Sequence, residues 1–556
     1  MGSNFNQVKQ SIVFDLTFIF IAAITLYLGL ILFLPFQSQL ETSAMLILQN
    51  MLRTQNWLIP SLNGAKLVSQ PPFYYTITGL WSKWFGLDFI SLRLFSMFFA
   101  LANLSLNYAL MRYIFNRTAA ILSTVILASS FIFTKFAVLV SPMQFNLFLF
   151  SSVLYAFVIL LYCEAKNIKF FNVIFWLALS LLTLTASIYL SLMFLFALII
   201  FSCILTDVYY LKRLHTIRGY LIFTAIILAW MTYFYVHVPH FFKFYFFDFP
   251  SYILLNLLNN NHFFNWSIIL SLLIGFMPWT IFIVSTIWYN SPKNWADRKK
   301  ETLNILLFTY SILFTLALMI LKINNAWLIL LLPALSLMTA NFLTPSVYLK
   351  RLPLKSQTTE ILIFCLIIIT AFMLSQSLNN LTFKTFQTII HNKYYQYLIA
   401  YISIIALTTC LALRYLRVKA MIGMIILLTI VTYVLGCTIY KFYPRPNDNL
   451  PIAQYLSTKI KTNDIIAAYH QYPADIAQKL NKNIVIISWR NQPFYSKHYQ
   501  TNNQWLTTEP AFWQIIEQNH KKVYLLVPIT LFEQINFKKY HLKLITVSKH
   551  YVLMSN

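Results

Sequence analysis

The chain has 556 residues, of which 59% are hydrophobic, 17% aromatic and only 10% charged. A soluble globular protein has about 25% charged residues, so this composition excludes an ordinary soluble enzyme, a disordered chain and a disulfide scaffold. The formal charge of +26 comes from 41 basic and 15 acidic residues, and most basic residues fall in short loops between apolar runs. This distribution orients membrane helices and argues against a nucleic-acid partner.

Apolar runs of about 20 residues recur along the chain and predict a mainly α, polytopic helical membrane protein. The first run, from Ile12 to Pro35, is too long for a signal-peptide core and lacks a small-residue cleavage site, so we expect a retained helix. With the later runs it gives 13 predicted transmembrane spans. The later spans are predicted at 90–111, 118–136, 142–163, 170–186, 188–206, 219–237, 266–287, 302–320, 326–345, 358–377, 395–413 and 420–440.

Every second loop between these spans is basic, which predicts that the N-terminus and these loops are cytoplasmic. Because the number of predicted spans is odd, the C-terminal tail is expected outside the cytoplasm. The basic loop residues are Arg112, Arg117, Lys166, Lys169, Lys212, Arg213, Arg218, Lys293, Arg298, Lys299, Lys300, Lys350, Arg351, Lys355, Arg414, Arg417 and Lys419.

Two long loops are predicted on the outward side, the first loop at 36–89 and the second loop at 238–265. The first loop contains two half-apolar stretches, Glu41 to Leu52 and Pro72 to Phe85, which are too short to span a bilayer and suit helices lying in the interface. A purely structural membrane protein rarely needs such loops. We therefore expect the functional site on this side, with the first loop packed over the second.

After Tyr443 the composition changes, and Pro444 and Pro446 end the last predicted helix. This predicts a transmembrane domain at 1–443 and a small α/β domain at 444–556, without a nucleotide-binding glycine loop. Strands are predicted at Asp464–Ala468, Asn483–Ser488, Lys522–Val527, Leu542–Val547 and Tyr551–Met554, and helices at Pro451–Lys461, Pro473–Leu480 and Glu509–Asn519.

Acid–base chemistry on the outward membrane face has few candidate groups. Of the 15 acidic residues, the threading leaves Glu41, Asp88 and Asp248 there. The alternative for Glu41 and Asp88 is a solvated loop carboxylate, and the alternative for Asp248 is an interfacial turn residue before Pro250. The five cysteines lie in or beside apolar runs without metal-ligand spacing, so we expect them to be inert.

The first loop, LETSAMLILQNMLRTQNWLIPSLNGAKLVSQPPFYYTITGLWSKWFG, resembles that of bacterial lipid A aminoarabinose transferases and related protein O-mannosyltransferase-like enzymes. These GT-C-fold glycosyltransferases use polyprenyl-phosphate sugars. The stretches VPHFFKFYFFDFPSYIL, HFFNWSIILSLLIGFMPWT and the WLILLLPAL that follows Lys322 are similar to later motifs of the family, in the same order. The residues that keep the register of the first loop are Trp57, Pro60, Asn63, Gly64, Pro71, Pro72, Phe85, Gly86 and Arg93.

The sequence departs from this family at positions where the family carries catalytic groups. Leu40 stands where the family has an Asp beside the residue matching Glu41, Gln70 replaces a Lys, and Met143 replaces a second Asp. Leucine cannot take a proton, and glutamine donates hydrogen bonds to phosphate without a charge. Either Glu41 has taken over the acid's role or the site no longer catalyses.

The resemblance implies roles for the outward residues. Glu41 is expected to act as base or acceptor aligner, with Asp248 assisting. Interfacial snorkelling is an alternative for the lysines, and an aromatic belt for the rings. The expected donor phosphate ligands are Gln70, Lys243, Lys322, His240 and His262, and the expected lipid groove residues are Phe73, Tyr74, Tyr75 and Trp279.

The function implied is transfer of a sugar from a polyprenyl-phosphate donor to lipid A, another envelope glycan or a protein at the periplasmic face of a bacterial inner membrane. No cofactor is expected, and one or two scattered acids make a poor site for a divalent metal ion. The alternative is a catalytically degenerate relative that binds polyprenyl phosphate or lipopolysaccharide, or scaffolds an envelope enzyme. A transporter is disfavoured, because the spans lack ionisable residues at the midplane.

Overall fold

The computed structural model describes residues 2–33, 39–63, 65–67, 72–162, 168–207, 209–238, 241–248, 265–291, 298–321, 324–349, single positions between 420 and 433, 449–461, 464–488, 506–507, positions 509, 510, 512 and 514, 522–532, 542–548 and 551–556. Helices dominate the first part of the chain, and a sheet follows near its end. The helices are α1 (Gly2–Phe33), α2 (Gln39–Thr54), α3 (Phe73–Phe85), α4 (Phe89–Ile114), α5 (Arg117–Ser129), α6 (Phe131–Val138), α7 (Met143–Tyr162), α8 (Ile168–Thr183), α9 (Ile188–Leu205), α10 (Tyr209–Lys212), α11 (Ile217–His237), α12 (Phe241–Lys243), α13 (Ser267–Gly275), α14 (Ile283–Asn290), α15 (Thr302–Leu321), α16 (Leu332–Leu349), α17 (Leu450–Lys459), α18 (Ala474–Leu480) and α19 (Ile529–Phe532).

Within the described residues, seven helices are long and apolar enough to cross a membrane, and two bent pairs and the shorter α8 add to them. These elements coincide with the first ten predicted spans and confirm the polytopic helical class. The predicted spans at 358–377 and 395–413 lie outside the described residues, and the span at 420–440 is described only at single helical positions. The total of 13 therefore stays a prediction.

Two predicted spans are broken rather than straight, and each break has a local cause. Helices α5 and α6 meet at 64°, where Ser130 has an extended backbone and its hydroxyl bonds the carbonyl of Ile126 at 2.6 Å. Helices α13 and α14 are bent by 112° around a short 3₁₀ segment, Trp279–Phe282. Pro278 precedes that segment and lacks the N–H that a continuous helix would need.

The first loop is ordered as α2, a two-stranded hairpin and α3. Both helices lie where the half-apolar stretches predicted them, and the strands β1 (Ser61–Leu62) and β2 (Ala65–Lys66) pair antiparallel between them. Trp57, which precedes the hairpin, is tied to α3, because the hydroxyl of Thr76 donates to the Trp57 carbonyl at 2.6 Å. A Cβ atom on Gly79 of α3 would lie 2.8 Å from the Trp57 ring, so only glycine permits this approach.

A six-stranded sheet forms the small C-terminal domain, with the order β5–β4–β3–β6–β8–β7. The first four strands in this order are parallel. β8 pairs antiparallel with β6 and with β7, so β8 alone among the six strands runs in the opposite direction. The five predicted strands are confirmed with small shifts at their ends, whereas the two-residue β5 was not predicted. The strands are β3 (Ile465–Tyr469), β4 (Val485–Ile487), β5 (Leu506–Thr507), β6 (Val523–Pro528), β7 (Lys543–Val547) and β8 (Tyr551–Ser555).

Alternation along the strands gives this sheet two buried faces. Ile466 and Ala468 of β3 join the large core that continues into the membrane domain, and Ala467 and Tyr469 join a separate cluster with Phe512. Helices α17 and α18 cover the first face, since Leu456 and Ile476 belong to the same large core. The described part of the chain is therefore a helical membrane protein with a small α/β sheet domain.

Candidate functional site

A buried ion pair joins the first loop to the membrane helices. Glu41, in the first turn of α2, accepts hydrogen bonds from Nε and Nη2 of Arg93, each at 2.9 Å. The two side chains are 1% and 0% exposed. Arg93 also points Nη1 at the carbonyl of Ile31 at the end of α1, at 3.5 Å. The pair therefore connects α1, α2 and α4 at a single point.

The carboxylate of Glu41 has a further partner on a different element. The backbone N–H of Val140 donates to its Oε1 at 3.0 Å. Val140 lies in the short turn between α6 and α7, two residues before Pro142. Because one buried carboxylate accepts three N–H bonds, its charge is well compensated. The site is thus built around a fixed, paired acid.

Arg93 was noted in the sequence only as a residue that keeps the family register, and its partnership with Glu41 was missed. A signal existed, because Arg93 is a charged residue near the start of an apolar span, where a charge needs a partner. The residues are 52 positions apart. Sequence pattern alone therefore does not choose Glu41 among the acids of the chain.

The aromatic residues predicted to form a lipid groove fill the space beside this pair. Tyr74 and Tyr75 are 1% and 8% exposed, and the Tyr74 ring lies 6.1 Å from that of Phe95 on α4. Phe73 is half-buried and its ring is 5.9 Å from that of Phe145 on α7. These rings therefore pack among α3, α4 and α7.

Tyr74 is a candidate hydrogen-bond donor beside the ion pair. Its hydroxyl is buried without a hydrogen-bond partner among the described residues. Burial raises the pKa of Tyr74 far above its usual value, and the charges of Tyr75 and Glu41 add to the rise. The phenol therefore stays neutral at physiological pH and keeps its proton for donation.

Trp279, the fourth groove residue, lies in the core at the bend between α13 and α14. It is 0% exposed, and its indole N–H donates to the hydroxyl of Ser129 at 2.8 Å. This bond ties the 3₁₀ segment to the end of α5. In this structure Trp279 therefore supports the packing of the two broken spans.

The other residues predicted from the resemblance are described incompletely. Gln70, His240, His262 and Lys322 lie outside the described residues, and Asp248 is described only as the last backbone position of a π-helical turn, Phe244–Asp248. Lys243, the last residue of α12, is exposed. Their roles stay predictions.

The two loops meet at the hairpin of the first loop. The ammonium of Lys66 on β2 donates to the carbonyl of His237 at 2.8 Å, where α11 ends. Ile59 packs into an apolar cluster with Phe234 of α11 and with Tyr245 beyond it. The expected packing of the first loop over the second is therefore present at this corner.

Two further charged residues on the predicted outward side have defined local contacts. Asp88 caps α4, because its Oδ1 accepts from the backbone N–H of Ser91 at 2.6 Å. Lys135 on α6 is exposed and its ammonium lies 5.4 Å from the centre of the Phe136 ring. The sequence analysis did not select Lys135, although it lies five residues before Val140, which binds Glu41.

The described side chains contain no group of three or more His, Cys, Asp or Glu that could hold a metal ion, and the expectation of no metal stays a prediction. The acid of the buried pair, Glu41, is already bound by Arg93 and Val140. Among the described residues, the surroundings of the buried pair offer hydrogen-bond donors and one paired carboxylate.

Comparisons with known proteins define the fold. No family model matches the chain. A protein of Aquifex aeolicus (strain VF5) is 37% identical over 95 residues, which is 17% of this chain and 19% of that protein.

Two crystal structures match over almost the whole length. ArnT from Cupriavidus metallidurans, solved in the apo state and bound to undecaprenyl phosphate, has a TM-score of 0.75 to this chain in both structures. The identity is 14%, and the match covers 97% of each chain. ArnT is a lipid A aminoarabinose transferase of the GT-C fold. The chain therefore has the GT-C fold of ArnT, with a polytopic helical membrane part and a small C-terminal sheet domain.

Proposed function

We propose that the chain is a membrane glycosyltransferase of the bacterial inner membrane. It transfers a sugar from a polyprenyl-phosphate donor to lipid A, another envelope glycan or a protein at the periplasmic face. The observation that carries this proposal is the match to ArnT across 97% of both chains, with one of those ArnT structures holding undecaprenyl phosphate. The two ordered helices of the first loop support it, because they close over the membrane helices on one side.

In the proposed reaction, an acceptor hydroxyl or phosphate oxygen attacks the anomeric carbon of the donor sugar. The bond from this carbon to the phosphate oxygen breaks, the configuration inverts, and polyprenyl phosphate leaves with the bonding electrons. A hydroxyl acceptor gives its proton to a base. The protein must therefore stabilise the anionic leaving group and align the acceptor.

The geometry favours alignment over proton transfer as the role of Glu41. Both of its oxygens are engaged by Arg93, and Oε1 also accepts from Val140. A base needs a free lone pair directed at the acceptor. We propose that Glu41 fixes Arg93 and the turn at Val140, and that Asp248 is the carboxylate that assists the acceptor.

The leaving phosphate needs positive charge, and the residue at the family's Lys position is Gln70. We propose that Lys243, Lys322 and the exposed Lys135 supply that charge, with Gln70, His240 and His262 as further donors. Each charge-assisted hydrogen bond is worth about 1.5–3 kcal/mol. Phe73 and its neighbours Tyr74 and Tyr75 would form the wall of the groove for the prenyl chain, with Trp279 supporting it from the core.

A second candidate function is binding without catalysis. Leu40 and Met143 stand where the family has acids, and the remaining acid, Glu41, is held in an ion pair. A chain of this kind would bind polyprenyl phosphate or lipopolysaccharide, or scaffold an envelope enzyme.

One experiment with the full-length protein separates the two candidates. The purified chain in lipid nanodiscs is tested for binding of undecaprenyl phosphate, and for transfer from undecaprenyl-phosphate aminoarabinose and undecaprenyl-phosphate hexoses to lipid A. A transferase binds undecaprenyl phosphate and releases it during transfer.

The variant Leu40→Asp restores the family's acid and completes this test. Binding by the parent with transfer only in Leu40→Asp identifies a degenerate relative. A parent that neither binds undecaprenyl phosphate nor transfers any of these sugars contradicts the transferase and the binder of polyprenyl phosphate, and leaves only a role in binding lipopolysaccharide or scaffolding an enzyme.

A further inference from the structure

Asn63 lies at the tip of the hairpin in the first loop and has a left-handed backbone, with φ of 53°. Asparagine tolerates this conformation better than most residues. In the sequence it precedes Gly64, and Asn-Gly is the preferred pair in a two-residue hairpin turn. The turn explains why Asn or Gly is suitable here, but it does not require the side-chain amide.

The amide of Asn63 contacts the C-terminal domain 421 residues away. Its Nδ2 donates to the carbonyl of Ile484 at 2.6 Å, and its Oδ1 accepts from the N–H of Ile484 at 3.0 Å. Ile484 directly precedes β4 and is fully buried. The amide thus reproduces the donor–acceptor exchange of two paired residues in adjacent strands. The amide nitrogen and the amide oxygen of Asn63 therefore both bond the same residue, which fixes the orientation of the side chain.

A second contact joins the same two parts of the chain. Gln478 on α18 points its amide nitrogen at the sulfur of Met45 on α2, at 3.2 Å. Leu48 of α2 and Ala477 of α18 are buried in one continuous core. The C-terminal domain therefore holds the first loop by the hairpin and by the helix.

Helix α2 and the hairpin, which contact the C-terminal domain, are connected to the ion pair. Helix α2 begins two residues before Glu41, and Asn50 on the same helix donates to the hydroxyl of Ser61 on β1 at 2.6 Å. The other strand of the hairpin carries Lys66, which binds the carbonyl of His237. A movement of the hairpin would therefore shift α2 and the start of the second loop together.

We propose that Asn63 is a positioning residue through which the C-terminal domain sets the first loop, and with it Glu41 and Arg93, over the membrane helices. The domain then acts as a clamp on the outward site. The docking itself follows from the contacts alone, whereas its effect on turnover rests on the proposed function.

The test uses Asn63→Gly in the full-length protein. Glycine keeps the left-handed backbone and removes both hydrogen bonds. The matched control is Asn481→Gly, because Asn481 is a second left-handed asparagine, with φ of 48°, and is exposed at the end of α18. A general effect of glycine in the backbone would appear in both variants.

Two measurements report docking without any substrate. The first is the rate of cross-linking between cysteines in Met45→Cys and Gln478→Cys, in a background in which the five native cysteines are replaced. The second is amide hydrogen exchange of α2. We expect Asn63→Gly to slow cross-linking and speed exchange by about tenfold, as loss of two neutral hydrogen bonds implies, and Asn481→Gly to change neither. Unchanged cross-linking and exchange in Asn63→Gly would overturn the proposal.

Turnover tests the positioning role. We expect Asn63→Gly to lower kcat more than it changes KM for the donor. Once the introduced cysteines at positions 45 and 478 are cross-linked, kcat of this variant should be restored. Loss of docking with an unchanged kcat would overturn the clamp while leaving the proposed transferase intact. A wild-type chain without transfer would overturn the proposed function, and the cross-linking and exchange results would still decide the docking.

Discussion

Arg93 and Glu41 form a bidentate ion pair in which both N–O distances are 2.9 Å, and the two buried residues lie on different helices. Burying two charges costs several kcal/mol for each ion, and good geometry offsets that cost. The pair is consequently sensitive to the loss of either partner. This property allows its structural and functional roles to be measured separately.

Replacing Glu41 with glutamine should destabilise the protein strongly. Glu41→Gln keeps the shape of the side chain and leaves Arg93 as a buried charge without its counter-ion, which costs about 3–5 kcal/mol. We expect the melting temperature of Glu41→Gln in detergent, followed by intrinsic tryptophan fluorescence, to be lower than that of the parent. The double variant Glu41→Gln/Arg93→Met should recover most of the loss, because it removes the uncompensated charge.

Turnover of the same variants tests the proposed function of the pair. If the pair aligns the site, the double variant should remain roughly 100-fold less active than the parent while its stability recovers. Equal recovery of stability and activity would mean that the pair only supports packing.

Asp88 provides a contrast, because it is an outward acid with a purely local partner. Asp88→Ala removes the cap of α4 and should lower the free energy of unfolding by about 1 kcal/mol. Asp88→Asn should be close to the parent, since asparagine caps as well as aspartate. Transfer should be retained in both variants, and a large loss of kcat in Asp88→Asn would place this carboxylate in the reaction after all.

Lys135 should contribute to binding of the donor phosphate. It is exposed on α6, on the same side as the turn that binds Glu41. We expect Lys135→Ala to weaken binding of undecaprenyl phosphate by about tenfold or more, as loss of a charge-assisted contact implies, and Lys135→Arg to retain it. The matched control is Lys83→Ala, which removes an exposed lysine from α3. Equal weakening by the two alanine variants would point to a general surface charge effect.

The elements of this fold were predictable because their signals are local. Apolar runs gave the helices of the first ten predicted spans, and half-apolar stretches gave α2 and α3. The strands β3 and β6 were visible as apolar runs of five and six residues, whereas the short helices α10 and α12 were not predicted. The strand β5 has only two residues and gives no periodic signal. The bend at Ser130 was also missed, because an apolar run does not report its direction.

The site was predictable only in part. The resemblance selected Glu41, but its burial and its bond to Arg93 depend on the packing of α2 against α4. The same limit applies to Asn63, which reads as an ordinary turn residue until Ile484 is beside it. Long-range pairs of this kind leave no local pattern.

The last prediction concerns orientation, and contacts between loops support it. On the predicted cytoplasmic side, Lys299 lies 3.5 Å from Asp207, and Arg298 donates to Thr206 at 3.0 Å, so two basic loops meet there. On the other side, Asn63 of the first loop binds Ile484 of the C-terminal domain. The domain therefore shares a side with the first loop, opposite the basic loops.

Cysteine labelling in cells tests this arrangement. In a background without native cysteines, Lys459→Cys on α17 and Lys212→Cys on α10 place one exposed thiol on each side. An impermeant maleimide, added to cells with only the outer membrane opened, should label position 459 and leave position 212 unlabelled until the inner membrane is lysed. The positive-inside bias predicts this result. The reverse pattern would place the C-terminal domain and both loops in the cytoplasm, where a periplasmic acceptor cannot reach the proposed site.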